Sequence, residues 1–281
     1  MHISFNKINN IKKFEYSFKG RNEVRQRAMG FATDIVEIAQ QEKNIPKSKL
    51  EHVVREYLPS IVIRQSKGAN GDNIFCAPYY NFSRKDNIFY LRSQTLHIPK
   101  IRPSAQMGEK ADFVENISHE MAHAFHNVDE EISFVRRYND YLKNNSYSQL
   151  QENGSVSEEI FNYLEKKGIY PLIYDLYAKS VGQNISDIAT PKELLDRILP
   201  NAQSDLDEII KTEVVPLKKT LTGNDMEFVL AEINDAINDE IDAYKTGFYA
   251  YKKFKRQDEF IIDDAIPELY KSLASATNKY F

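Results

Sequence analysis

The chain has 281 residues, enough for one large domain or two small ones with a sizeable core. Hydrophobic residues make up 42% and charged residues 28%, which excludes a mainly disordered chain. With 37 Lys and Arg against 41 Asp and Glu, the net charge of −4 leaves no electrostatic footprint for general nucleic-acid binding, and no apolar run reaches the roughly 20 residues of a membrane helix.

Met1 to Arg21 is polar, carries Lys7, Lys12, Lys13 and Lys19, and lacks the apolar core of a secretory signal. The single cysteine, Cys76, cannot close an internal disulfide and rules out zinc sites built on two or four cysteines. A cytoplasmic location is expected, with non-classical secretion or virion packaging left open. Val24, Ala28, Phe31, Ile35 and Ile38 recur at helical spacing and predict a helix over about 22–42; Leu50, Val53, Val54 and Tyr57 predict a short second one. The period then shortens. Ile61-Val62-Ile63, Ile74-Phe75-Cys76 and Asn87 to Leu91 read as short strands, the last two flanking a hairpin loop over Asn81–Asp86. Leu96-His97-Ile98 adds an edge strand stopped by Pro99, and Tyr79, Tyr80, Phe89 and Tyr90 read as strand core.

From about Gly108 onward the pattern is helical. Ser155-Val156-Ser157-Glu158 has the form of a capping box, and Pro171, Pro191 and Pro216 are expected to interrupt helices. One long helix is predicted over about 224–256 and a last one over 266–279. The expected fold class is α+β: a small, mainly antiparallel sheet with an active-site helix and a largely α-helical body. The expected organisation is 1–128 (N-terminal helices, sheet and active-site helix), 129–223 (a helical insertion) and 224–281, the first and last forming one catalytic domain.

The chemistry-bearing motif is His119-Glu120-Met121-Ala122-His123, an H-E-x-x-H pattern. On a helix, positions i and i+4 share a face, so two imidazoles can reach one Zn²⁺, and the glutamate beside them can take a proton from bound water. Val114, Ile117, Met121, Ala124 and Phe125 supply the apolar backing, and neither Pro nor Gly falls between 109 and 127. A catalytic zinc needs a third protein ligand. Beyond His123 the only histidine is His126, three residues on, so a carboxylate is required. In the long helix Leu230, Ile233, Ile237, Tyr244, Phe248 and Tyr251 form an apolar stripe on which Glu240 falls, while Asp235, Asn238, Asp239, Asp242 and Lys245 read as the wet face. A carboxylate among core positions is costly unless paired or metal-bound. That singles out Glu240; the other reading is an inward glutamate bonded to a core Tyr or Lys, with Asp242 as fallback ligand. Glu158 and Glu159 are weaker choices. His126 and Glu130 continue the histidine face, either as partners orienting a ligand or as a solvated surface. Tyr244, one turn from Glu240, is either an oxyanion donor or a structural tyrosine. His97 is a structural or substrate-touching histidine.

These residues resemble the gluzincin branch of zinc metallopeptidases, in which two motif histidines and a downstream helical glutamate hold zinc. Glu240-Ile241-Asp242-Ala243-Tyr244 is similar to the third-ligand helix of that branch, although Tyr244 stands where an acid is usual. Ala243-Tyr244 and Ile266-Pro267-Glu268-Leu269-Tyr270 resemble the C-terminal end of lethal-factor-like toxin peptidases. His119 to His126 is similar to the thimet-type oligopeptidase signature, with Ala122 in place of glycine. The resemblance covers less than a tenth of the chain. It implies a zincin-like fold and a zinc endopeptidase acting on a protein or peptide substrate, with no nucleic-acid or membrane partner. One Zn²⁺ per chain would be held by His119, His123 and Glu240, with Glu120 as general base and Tyr244 assisting. The alternative is a catalytically silent zincin-like regulatory or structural protein acting through protein–protein contacts.

Overall fold

The computed structural model describes residues 20–42, 45–65, 74–99, 107–129, 131–216, 221, 223–257 and 259–281. Over the described residues it is α+β and mostly helical, with one small sheet. Two compact units divide it, residues 1–140 and 141–281.

In the first unit, α1 (Arg21–Gln41) buries Val24, Ala28, Phe31, Ala32, Ile35, Val36 and Ala39, the stripe its period predicts. Helix α2 (Lys47–Tyr57) packs on it through Leu50, Val53 and Val54. Three strands follow, β1 (Val62–Gln65), β2 (Phe75–Ser83) and β3 (Ile88–Ile98), in the order β1-β3-β2. The sheet is mixed: β2 runs antiparallel to β3, whereas β1 runs parallel, with Val62 opposite Thr95 and Gln65 opposite Ile98.

Two expectations need correction here. Leu96-His97-Ile98 is the C-terminal half of the central strand, lying between β1 and β2. Leu96 and Ile98 are accordingly buried, and so are Gln94 and Thr95 before them. Enclosure on both sides produces a short continuous buried run, which sequence alone does not distinguish from an edge. The hairpin loop is also shorter than expected, confined to residues 84–87. Asp86 bonds the Ser83 hydroxyl at 2.7 Å, and Asn87 takes φ 51°, a left-handed conformation asparagine tolerates. With the turn closed locally, the polar Asn81 and Ser83 pair as strand residues opposite Tyr90 and Ile88.

The four strand aromatics read as core divide by face. Tyr79 and Tyr90 are exposed, while Tyr80 and Phe89 stack at 5.3 Å. That stacked pair meets Phe134 and Tyr138 of α4 (Phe134–Leu142). Helix α3 (Met107–His126) packs against α1 and the sheet. Phe125 meets Phe31 and Tyr57 at ring distances of 6.4 and 6.2 Å, and Lys110 donates to the Glu42 carbonyl beyond the end of α1.

In the second unit, α5 (Tyr147–Leu164) opens at Ser146, whose side chain and Gln149 make a reciprocal capping box. Ser155 to Glu158, expected to open a helix, lie inside this one. The chain continues through a π-helical turn, Glu165–Ile169, into α6 (Tyr170–Ser180). Pro171 therefore does not break the path, because the wide turn just before it absorbs the missing amide. Pro191 does start α7 (Pro191–Ile198), with Thr190 accepting from the Glu193 amide. Helix α8 (Ala202–Ile209) runs into a second π-helical turn, Ile210–Val214, with Pro216 two residues on. Then come α9 (Gly223–Lys255), a 3₁₀ turn (Ile262–Ala265) and α10 (Ile266–Tyr280). Helix α9 packs on α5 and α10. Asn153 and Tyr141 both donate to Asp225 Oδ1, at 3.0 and 2.5 Å, fixing the start of α9. No helix among the described residues is long and apolar enough to cross a membrane.

Candidate metal centre

Helix α3 sets the first half of the site. Val114, Ile117, Met121, Ala124 and Phe125 are completely buried, which fixes the phase of the helix and leaves His119, Glu120 and His123 only half-buried. The Nε2 atoms of His119 and His123 lie 3.1 Å apart, with ring planes at 71°. Two nitrogens at this separation subtend about 100° at a point about 2.0–2.1 Å from each, close to tetrahedral zinc geometry.

Glu120 is held from the sheet. Its Oε2 accepts the backbone N–H of Cys76 on β2 at 2.8 Å. Burial, and secondarily the Glu120 carboxylate, pushes the Cys76 thiol up to about 12, so it stays protonated at neutral pH and is no thiolate ligand. Gln94 anchors the helix to β3, donating to the Ala124 carbonyl at 3.1 Å.

The neighbouring expectations sort as follows. His126 is buried at 2% exposure, so it is not part of a solvated face. Glu130 lies outside the described residues. His97 stacks flat on Phe75 at 4.2 Å, and burial, followed by Arg64, holds its pKa below the ordinary value.

The carboxylate belongs to the second unit. On α9, Ile233, Ile237 and Phe248 are buried as the stripe requires, and Glu240 is half-buried among them. The opposite face is not uniformly wet. Lys245 is exposed, but Asp242 is 3% exposed, a correction to its expected place in solvent. A helix packed on both α5 and α10 is enclosed on more than one side, so a single apolar stripe understates what it buries.

Tyr244 rests against Phe248 and Tyr270, each at 5.6 Å between ring centres. Burial, then Glu240, raises its pKa. Tyr270, fully buried on α10, donates to Glu165 Oε1 at 2.7 Å. Tyr170 donates to Glu165 Oε2 at 3.3 Å, and burial, then Glu165 and Glu240, pushes it up to about 12. Sequence reading missed Glu165, Tyr170 and Tyr270 as neighbours of Glu240. Only the Ile-Pro-Glu-Leu-Tyr similarity touched Tyr270, and a five-residue spacing is not a helical signal.

Of the expected donors, His119 and His123 lie together on α3 of the first unit, and Glu240 lies on α9 of the second. Two imidazoles and one carboxylate suit zinc better than magnesium or calcium, which take oxygen ligands. Comparison of the chain with protein families, with curated proteins and with solved structures gives no match.

Proposed function

We propose that the chain is a zinc-dependent endopeptidase of zincin-like fold, with zinc held by His119, His123 and Glu240. The observation that carries this reading is the 3.1 Å approach of two imidazole nitrogens on a helix whose intervening glutamate is fixed by a strand amide. When bound, zinc lowers the pKa of a coordinated water toward about 7 and polarises a carbonyl. Glu120, oriented by the Cys76 N–H, takes the proton of the attacking water and passes it to the leaving amine. Among the described residues strand β2 is the sheet edge beside α3, where an extended polypeptide can align by main-chain hydrogen bonds. Tyr244, packed on Phe248 and Tyr270, is the side chain assigned to assist at the developing oxyanion.

The test is metal analysis of the purified chain together with cleavage of a denatured, labelled protein. The expected result is one zinc per chain and measurable hydrolysis. Glu120→Gln should keep the zinc and lose hydrolysis by about 10²–10⁴-fold, whereas His123→Ala should lose both. Full activity in Glu120→Gln, or a chain that takes up no zinc, overturns the proposal. Stoichiometric zinc without any cleavage moves the reading to a silent zincin-like protein that works through partner contacts.

A further inference from the structure

We propose that Glu165 and Tyr270 are positioning residues for Glu240, holding the turn of α9 that carries it. The inference rests on Glu240 being a zinc ligand. It starts from the π-helical turn Glu165–Ile169, whose closing bond runs from the Tyr170 amide to the Glu165 carbonyl, five residues back. In an α-helix, five residues separate two side chains by about 140° around the axis. The wider turn brings them to one side, and the Tyr170 hydroxyl reaches Glu165 at 3.3 Å. Such turns are rare and concentrate at functional sites. This one lies close against α8: a Cβ on Gly168 would stand 2.9 Å from Leu206 Cδ2, and that side-chain end would have to shift.

Glu165 is thereby aimed at α10. The Tyr270 hydroxyl gives its single proton to Glu165 at 2.7 Å, and the Tyr270 ring packs on Tyr244 at 5.6 Å between centres. A chain of contacts results, from Glu165 to Tyr270 by hydrogen bond and from Tyr270 to Tyr244 by ring packing, with Tyr170 bonded to Glu165 from the other side. Tyr244 is one turn from Glu240 on α9, so these contacts hold that turn from two other helical segments. Glu240 is an electrostatic neighbour of all three tyrosines. Outer partners of this kind orient a ligand, and their loss weakens metal affinity by about 10- to 100-fold.

The experiment is zinc affinity by competition with a chromogenic chelator, on the full chain and at a temperature where each variant is folded. Tyr270→Phe, which keeps the ring and deletes the hydroxyl, should weaken zinc binding about 10- to 100-fold, and Glu165→Gln should do likewise. Tyr174→Phe, an exposed tyrosine of α6, should leave it unchanged. Melting of the zinc-free proteins separates structure from positioning, because a purely structural role lowers that melting point and leaves the dissociation constant alone. Zinc affinity within twofold of wild type in both Tyr270→Phe and Glu165→Gln overturns the inference. If wild-type chain binds zinc and His123→Ala does not, that failure leaves the metal site standing. If wild-type chain binds none, both fall together.

Discussion

Helices α3 and α9 each carry part of the proposed metal centre, yet they expose their polar residues in opposite ways. In α3 the apolar and polar sides are separate: five completely buried side chains back the motif, while His119, Glu120 and His123 stay partly open. In α9 the buried set includes Glu232 and Asp242 along with Phe228, Ile233, Ile237 and Phe248, so polar and apolar positions share the interior. The contrast teaches that a one-sided helix announces its chemistry through its period. A helix enclosed by neighbours hides its chemistry among buried acids.

Substitutions can sharpen or break this contrast. The largest stability effect belongs to the motif helix. Phe125→Ala removes a ring packed against Phe31 and Tyr57 and should cost about 3–5 kcal/mol in urea unfolding monitored by circular dichroism. A cost under 1 kcal/mol would mean that α3 is not fixed in phase by that core. Next comes α9: Asp242→Ala removes a buried acid that sequence placed in solvent and should cost about 1–3 kcal/mol by the same measurement. The smallest belongs to Lys245→Ala on the exposed side of the same helix, expected within about 0.5 kcal/mol. Equal effects at 242 and 245 would restore the simple two-faced helix.

The same contrast explains what was legible beforehand. The helices at 21–41, 47–57, 223–255 and 266–280 were readable because their apolar spacing is set by local geometry. The placing of His119, Glu120 and His123 on one helix, with the two imidazoles side by side, was readable because the motif and the helix period coincide. The central place of Leu96 to Ile98 was not, since strand order depends on pairings with distant β1. The helix start at Ser146 was hidden by a rival Ser-x-x-Glu pattern at 155–158, where residues inside a continuing helix have no open amides to cap. Glu165 and Tyr270 were invisible for a further reason: a π turn changes the angular register, and 105 residues separate the two partners.

Cys76 holds Glu120 through its amide while its own thiol, the only one in the sequence, stays protonated and partly covered. Alkylating reagents attack thiolates, so modification of Cys76 is expected to be slow and to quicken when β2 lifts from α3. The chain thus contains a built-in gauge of how often the strand and the helix come apart at the very spot where the base is anchored.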